Sequence, residues 1–351
     1  MKEGSKSILI DLERLKYPFT GLYSYAMSLG KMLIKKKTEK EDFSFFVPKN
    51  FNGFFGSEVK YRIQKSIQKL IFSGTGKYDI WHSTYQGTSY YPRNKSVKII
   101  QTIHDLNFLH EKDNSPEKIK AELKKIQDGI DRADVITTIS KFTMQEVEQN
   151  LRINNQEKKV IYNGCEVKLF EGFDTPLYRP KRPFLFSIGT VLPKKNIHTL
   201  PSLLVGNDYE LVIAGLNNNP YQIKILEAAR KFKVENRIKL IGPVTEESKY
   251  WYYKNCEAFL FPSLAEGFGL PVVESMHFGK PLFLSTRTSL PEIGGKNASY
   301  FESFDPEDMQ EVFKNGMKSF DYDKDSKELI VRSKEFTWEH AAGQYLELYR
   351  K

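Results

Sequence analysis

The chain has 351 residues, an ordinary 40% hydrophobic content, and 53 Lys and Arg against 44 Asp and Glu, a formal charge of +9. That length suggests about two domains, and the basic excess admits nucleic acid, an anionic membrane surface or an anionic substrate as partner. Only two cysteines occur, Cys165 and Cys256, in no metal-ligand spacing; a disulfide framework is not indicated, which fits a reducing cytoplasm. The opening MKEGSKSILIDL lacks the apolar stretch of a signal peptide. Nowhere do about 18 apolar residues run together, so no transmembrane helix is expected.

In chain order, short apolar runs alternate with helical patterns. Residues 7–12, 43–47, 80–81, 97–103 and 135–139 read as strands, with 22–35, 115–132 and 141–150 as helices among them. Residues 184–188, 210–214, 238–241, 258–261 and 281–285 read as a second set of strands, with helices at 221–232 and 272–278. This alternation predicts an α/β chain of doubly wound parallel sheets. The stretch 172–183 carries three prolines and no periodicity, so it is the natural linker. Two such domains imply a cleft, with ligands bound beyond the carboxyl ends of the strands.

The segment FPSLAEGFGLPVVE, Phe261 to Glu274, says most about chemistry. An apolar strand delivers the chain into a turn with Gly267 and Gly269, where a ligand can approach the backbone closely. Pro271 suits the first position of a following helix, whose free N–H groups favour a phosphate. Glu266 and Glu274 can both face that ligand. Carboxylates only accept hydrogen bonds, so sugar hydroxyls are their natural partners. The loop therefore reads as a site for something bearing both phosphates and hydroxyls.

EGFGLPVVE resembles the Glu-x7-Glu signature of family 4 retaining glycosyltransferases, which have the GT-B fold of two Rossmann-like domains facing a cleft. The resemblance covers nearly the whole chain. It implies an N-terminal acceptor-binding domain over 1–174, a nucleotide-sugar domain over 175–335, and a helix over 336–351 crossing back to the first. Phe186-Ser-Ile-Gly189-Thr-Val-Leu-Pro-Lys194-Lys195-Asn196 resembles the strand, glycine turn and basic pair that open the family's second domain. Lys195 inherits the donor diphosphate. Many relatives have Arg just after the glycine; here Thr190 stands there, and Lys194 is the cation that could share the load. Glu274 inherits the ribose hydroxyls, Glu266 a place beside the donor sugar, and the amides of Gly267, Phe268 and Gly269 the sugar and diphosphate. The loop at Val244 resembles the one that holds the nucleotide base.

In the first domain, His104 follows an apolar strand and inherits a contact to the donor sugar. Gly21, in FTGLYSY, resembles the N-terminal glycine loop near phosphates and acceptor; relatives often show two glycines there. His82 stands at a similar strand end, with structural and functional readings both open, and Asp105 and Ser140 read as caps. Asp321-Tyr-Asp323 is formally Asp-x-Asp but lies in a polar stretch, so it reads as a solvated turn, and no metal or other cofactor is expected. The basic stretches 31–37 and 60–72 interleave lysines with apolar residues and read either as a membrane-facing surface or as ordinary solvated helices. No nucleic-acid motif occurs.

The implied reaction moves a hexose, with retained anomeric configuration, from a nucleotide diphosphate sugar to an acceptor hydroxyl. GDP-mannose is the first choice of donor and a UDP-sugar the next. The acceptor is a saccharide or lipid-linked saccharide of polysaccharide or lipopolysaccharide assembly, met in the cytoplasm or on its membrane face. A sugar-nucleotide epimerase of the same fold and a non-catalytic sugar-nucleotide-binding protein are the alternatives.

Overall fold

The computed structural model describes residues 5–18, 20–111, 114–217 and 219–351. Contacts divide the chain into two compact units: one runs to Gly164 and takes in Thr337–Lys351, the other is Cys165–Phe336. In chain order the first unit contains β1 (Lys6–Asp11), α1 (Gly21–Lys36), β2 (Glu41–Val47), β3 (Lys60–Ile63), β4 (Ile80–Ser83), β5 (Lys98–Ile103), α2 (Pro116–Ile130), β6 (Val135–Thr138), α3 (Lys141–Asn150) and β7 (Glu157–Val160). The second contains β8 (Phe184–Ile188), β9 (Glu210–Ala214), α4 (Tyr221–Lys231), β10 (Ile238–Gly242), α5 (Glu246–Asn255), β11 (Ala258–Phe261), α6 (Leu270–Met276), β12 (Leu282–Ser285), α7 (Leu290–Gly294), β13 (Ser299–Phe301), α8 (Pro306–Ser319) and α9 (Asp325–Ser333). The final helix, α10 (Trp338–Arg350), returns to the first unit.

Among the described residues the first sheet runs β3-β2-β1-β4-β5-β6-β7 and the second β10-β9-β8-β11-β12-β13. Both are parallel throughout. Each has the doubly wound order in which the first and fourth strands lie side by side and the chain reverses direction across the sheet. Each is a Rossmann-like α/β domain, as the resemblance implies. Central strands are buried on both faces, as parallel sheets require: β4 and β11 are buried at every position.

Three strands escape a reading by apolar runs. β3, β7 and β13 are sheet edges; one side is solvated, so KYRI and EKKV carry charges instead of an apolar signal. The basic stretch 60–72 is accordingly a strand followed by a short turn at Ser66–Lys69, and the expected helix is absent. The stretch 31–37 is the end of α1. There Leu33 is buried, and Lys36 and Lys37 pair with Glu339 and Glu58, so it is a solvated helix end.

The division falls at Gly164, earlier than the proline-rich stretch. That stretch is fastened to the second unit. Tyr252 Oη accepts the Tyr178 amide at 2.8 Å and donates to the Tyr178 carbonyl at 2.7 Å. Glu210 accepts from the Tyr178 hydroxyl at 2.7 Å and the Lys181 amide at 3.1 Å.

Alternation along β4 sends Trp81 and His82 to opposite faces. Trp81 joins Phe46, Phe72 and Tyr90 in an edge-on aromatic cluster. His82 lies under α10, bonded to Tyr349 Oη at 2.6 Å and Thr102 Oγ1 at 2.8 Å. Burial holds its pKa down to about 3, so it is neutral. A neutral imidazole needs one acceptor and one donor, and hydroxyls supply either. Thr102 continues the network to Thr137 at 2.8 Å and Tyr345 at 3.2 Å, and Tyr345 reaches Tyr25 at 2.8 Å. His82 is a core residue.

Candidate active site

In the second unit the loops after β8 and β11 leave from neighbouring strands, the position where doubly wound sheets bind ligands. The loop after β8 begins at Gly189, whose amide bonds the Ala214 carbonyl at 3.0 Å. A side chain at Gly215 would collide with the Gly189 carbonyl, so these two turns pack backbone to backbone. A tight turn, Pro193–Lys195, then sets Lys195 back over the end of the sheet. Its ammonium pairs with the Glu266 carboxylate and lies 5.0 Å from the centre of the Phe261 ring. The two side chains are 16% and 14% exposed. The backbone of Lys194 ties the loops together, its carbonyl accepting the Leu264 amide at 2.7 Å and the Ser263 hydroxyl at 3.1 Å.

The loop after β12 braces the one after β11. Thr288 Oγ1 accepts the Glu266 amide at 3.0 Å, and the Ser289 hydroxyl points at the carbonyls of Glu266 (2.8 Å) and Phe268 (3.1 Å). Phe268 buries its ring edge-on against Phe336. Gly269 holds φ at 98°, a conformation that suits glycine, and a Cβ there would sit 2.9 Å from Leu290 Cδ2. The helix begins at Leu270, which makes Pro271 its second residue; its missing N–H is still among the unpaired ones of a first turn. Thr190, in the arginine's place, is exposed.

Glu274 is buried, and both of its oxygens have partners. Lys249 Nζ meets Oε1 at 2.6 Å and the Tyr253 hydroxyl donates to Oε2 at 2.9 Å. Burial, with the Glu274 charge beside it, pushes the Tyr253 phenol well above its ordinary range, so it remains a donor. Lys249 and Tyr253 are one turn apart on α5 and share a face. Reading the sequence missed α5 and with it Lys249. The available signal was Thr245 followed by Glu246 and Glu247, a capping residue ahead of acidic first-turn positions; Thr245 does accept the Ser248 amide at 3.3 Å. Val244 is half-buried just before that cap.

The first unit holds His104 and Gly21. His104 Nε2 lies 2.8 Å from the Thr84 carbonyl, which only accepts, so Nε2 carries the proton. The His104 amide donates to Gln86 Oε1 at 3.1 Å, and Tyr25 meets the imidazole edge-on at 4.6 Å. Burial holds its pKa down to about 4, so His104 is neutral near pH 7. Gly21 opens α1 in open space behind its cap Thr20; Phe19, in the same motif, lies outside the described residues. Asp105 caps the turn at Asn107 (3.1 Å) and Ser140 caps α3 (3.1 Å). Asp321 accepts the amides of Asp323 at 2.8 Å and Lys324 at 3.2 Å, which makes Asp321–Asp323 a turn ahead of α9. No helix among the described residues is long and apolar enough to cross a membrane.

Comparison with known proteins matches residues 173–329 to the family Glycosyl transferases group 1 and residues 36–169 to Glycosyltransferase Family 4. O-antigen chain mannosyltransferase B of Escherichia coli is 24% identical over 98% of this chain and 99% of its own length. The serotype-specific mannosyltransferase WbdA of Escherichia coli is 29% identical over 76% of this chain, which spans 35% of that longer protein. Among solved structures, a glycosyltransferase from Rickettsia africae ESF-5 superposes with a TM-score of 0.73 at 16% identity, over 99% of this chain and 98% of that one. Anabaena HepE, solved with UDP and glucose, gives 0.71 at 15% identity, over 98% and 99%. Two family matches that divide the chain between them, a full-length relative and a shared two-domain fold agree: the chain belongs to glycosyltransferase family 4, the group 1 glycosyl transferases of GT-B fold.

Proposed function

We propose that this protein is a retaining glycosyltransferase that moves a hexose from a nucleotide diphosphate sugar to a hydroxyl of a saccharide or lipid-linked saccharide in polysaccharide or lipopolysaccharide assembly. The observation that carries the reading is the Lys195–Glu266 pair at the β8/β11 switch point, walled by Gly189 and Gly269. A diphosphate brings about two negative charges into a partly dry crevice, where a cation counts for far more than in water. Lys195 would exchange Glu266 for the diphosphate, which frees Glu266 to accept from the donor sugar. Glu274, fixed by Lys249 and Tyr253, has lone pairs left for the ribose hydroxyls. His104, with its Nε2 proton given to Thr84, offers Nδ1 as an acceptor for a sugar hydroxyl.

In the step we assign, the acceptor oxygen forms the new bond to the anomeric carbon as the bond to the diphosphate breaks. The departing diphosphate takes the acceptor proton, and Lys195 stabilises the charge it develops. Cations of the chain meet that charge, so the reading includes no metal ion, and activity should survive EDTA. The names of the full-length relative and of RfbU of Salmonella typhimurium, an O-antigen chain mannosyltransferase 22% identical over 64% of this chain, favour mannose as the sugar and GDP-mannose as donor. A UDP-sugar is the second choice.

Exposed Ile67, Leu70 and Ile71 beside Lys65 and Lys69 support a peripheral contact with an anionic membrane face, where a lipid-linked acceptor would lie. The test is a thermal-shift panel of GDP, UDP, ADP and dTDP with their sugar conjugates, followed by nucleotide release with and without acceptor. A selective shift with acceptor-dependent release supports the transferase. Release without any acceptor, with a changed sugar, would make the protein an epimerase, and no shift with any nucleotide would remove the donor site.

A further inference from the structure

The first unit has its own switch point, where β1 and β4 lie side by side, and a pocket of about 200 Å³ opens there. Glu13, Arg14 and Lys16 line it from beyond β1, Thr88 from beyond β4, and Lys69 and Lys125 complete it. Four of those side chains are cationic and one is acidic. The acid is already taken, since Glu13 pairs with Lys16. Arg14, Lys69 and Lys125 have no ion-pair partner among the described residues. Arg14 lies flat on the Tyr85 ring, 3.6 Å from its centre, and its buried Nε makes no hydrogen bond.

The Asp11 carboxyl, next to the lining loops, feels the Arg14 charge but forms no ion pair with it among the described residues. It accepts the Glu13 amide and the Thr88 hydroxyl, both at 3.0 Å, and so pins the two lining loops together. A fixed guanidinium with a buried unpaired donor, ringed by unpaired ammonium groups, is a site made for an oxyanion. Its rim has a different character. Lys69 ends the turn Ser66–Lys69, where Ile67, Leu70 and Ile71 are 62%, 71% and 52% exposed.

We propose that this pocket binds a phosphate or diphosphate group of the acceptor, held by Arg14, Lys16, Lys69 and Lys125; the word acceptor rests on the transferase reading, the anion site does not. The apolar turn beside the pocket meets the rest of the ligand, which favours a lipid-borne phosphate over a free sugar phosphate.

The experiment is calorimetric titration with inorganic diphosphate of the wild-type protein, Lys195→Ala, Arg14→Gln and the double variant. Wild type should show two sites, Lys195→Ala should keep one, and the double variant should keep none. Arg14→Gln should weaken its site by about tenfold or more, the loss expected for a charge-assisted bond. Lys69→Gln, on an exposed side chain that cannot unfold the protein, should weaken the same site by roughly threefold. Lys77→Gln, just before β4 and so at the other end of the strands, should change nothing.

Loss of all binding in Lys195→Ala, or unchanged binding in both Arg14→Gln and Lys69→Gln, overturns the proposal. Full binding in Lys195→Ala with loss in Arg14→Gln upholds the pocket and instead removes Lys195 from the donor site. In the Lys195→Ala background, tighter binding of citronellyl phosphate than of mannose 1-phosphate assigns the lipid source, and the reverse order a soluble sugar phosphate.

Discussion

Lys249→Met separates what Glu274 does for the fold from what it does for the donor. The Lys249 and Glu274 side chains are 18% and 10% exposed, and the substitution leaves the carboxylate with only the Tyr253 hydroxyl. Breaking a fully buried pair costs about 3–5 kcal/mol. Residual solvent contact and the surviving Tyr253 bond bring the expectation down to about 2–3 kcal/mol. A domain of this size loses roughly 2–4 °C of melting temperature per kcal/mol, so the transition should fall by about 5–10 °C. The double variant Lys249→Met/Glu274→Gln removes the stranded charge and should recover most of that loss in a calorimetric scan. It should not recover donor affinity, because glutamine brings an N–H2 where ribose hydroxyls need acceptors. A Lys249→Met protein that melts within about 1 °C of wild type would refute the pairing. A double variant that binds donor normally would take Glu274 out of the ribose site.

Lys195→Ala should lower turnover by about a hundredfold or more, read from nucleotide release at saturating donor; because it strands Glu266 in a pair about as buried as Lys249–Glu274, it should also lower the melting temperature by several degrees. Gly215→Ala should cripple donor binding, since its methyl group collides with the Gly189 carbonyl and must displace the diphosphate turn; normal binding in a titration would show that the turn is not part of the site. Burial raises Asp11 to about 7 from its ordinary 3.8. The folded chain therefore keeps a proton that the unfolded chain releases, and stability falls as pH rises from the unfolded value through about 7. Asp11→Asn escapes that loss, so its stability relative to wild type should grow by about 2–3 kcal/mol between pH 5 and 8 in urea unfolding. A pH-independent difference would mean that Asp11 titrates normally.

The parts legible in the sequence are those whose signal is local. Phe184–Ile188 and Ala258–Phe261 announce themselves because strands buried on both faces read as near-continuous apolar runs, Ser187 being the one polar step. The glycines after them mark the turns: Gly189 packs backbone to backbone against Gly215, and Gly269 holds a positive φ against the Leu290 side chain. The pairings across the site carry no local signal. Lys195 and Glu266 are 71 positions apart, and Lys249 and Glu274 are 25. Neither pairing is anticipated: Glu266 stands out by its glycine turn and Lys195 by resemblance to a family, while Lys249 is missed because it rides on a helix whose apolar stripe is obscured by Tyr250, Trp251, Tyr252 and Tyr253. The cations Arg14, Lys69 and Lys125 come from three separate segments, and only the sheet order brings them to one pocket.

The hydroxyl network under α10 also sets an order of events in synthesis. The second unit is an insert whose two ends meet, with the Cys165 amide bonded to the Phe336 carbonyl at 2.9 Å, while Gly164 lies against the Trp338 backbone with no room for a side chain. Tyr345 and Tyr349 leave the ribosome only after that insert is made. At about 5–20 residues per second this is a wait on the order of ten seconds or more. Throughout it His82 and Thr102 have no hydroxyl partners from α10, so the first unit to be translated is the last to be completed.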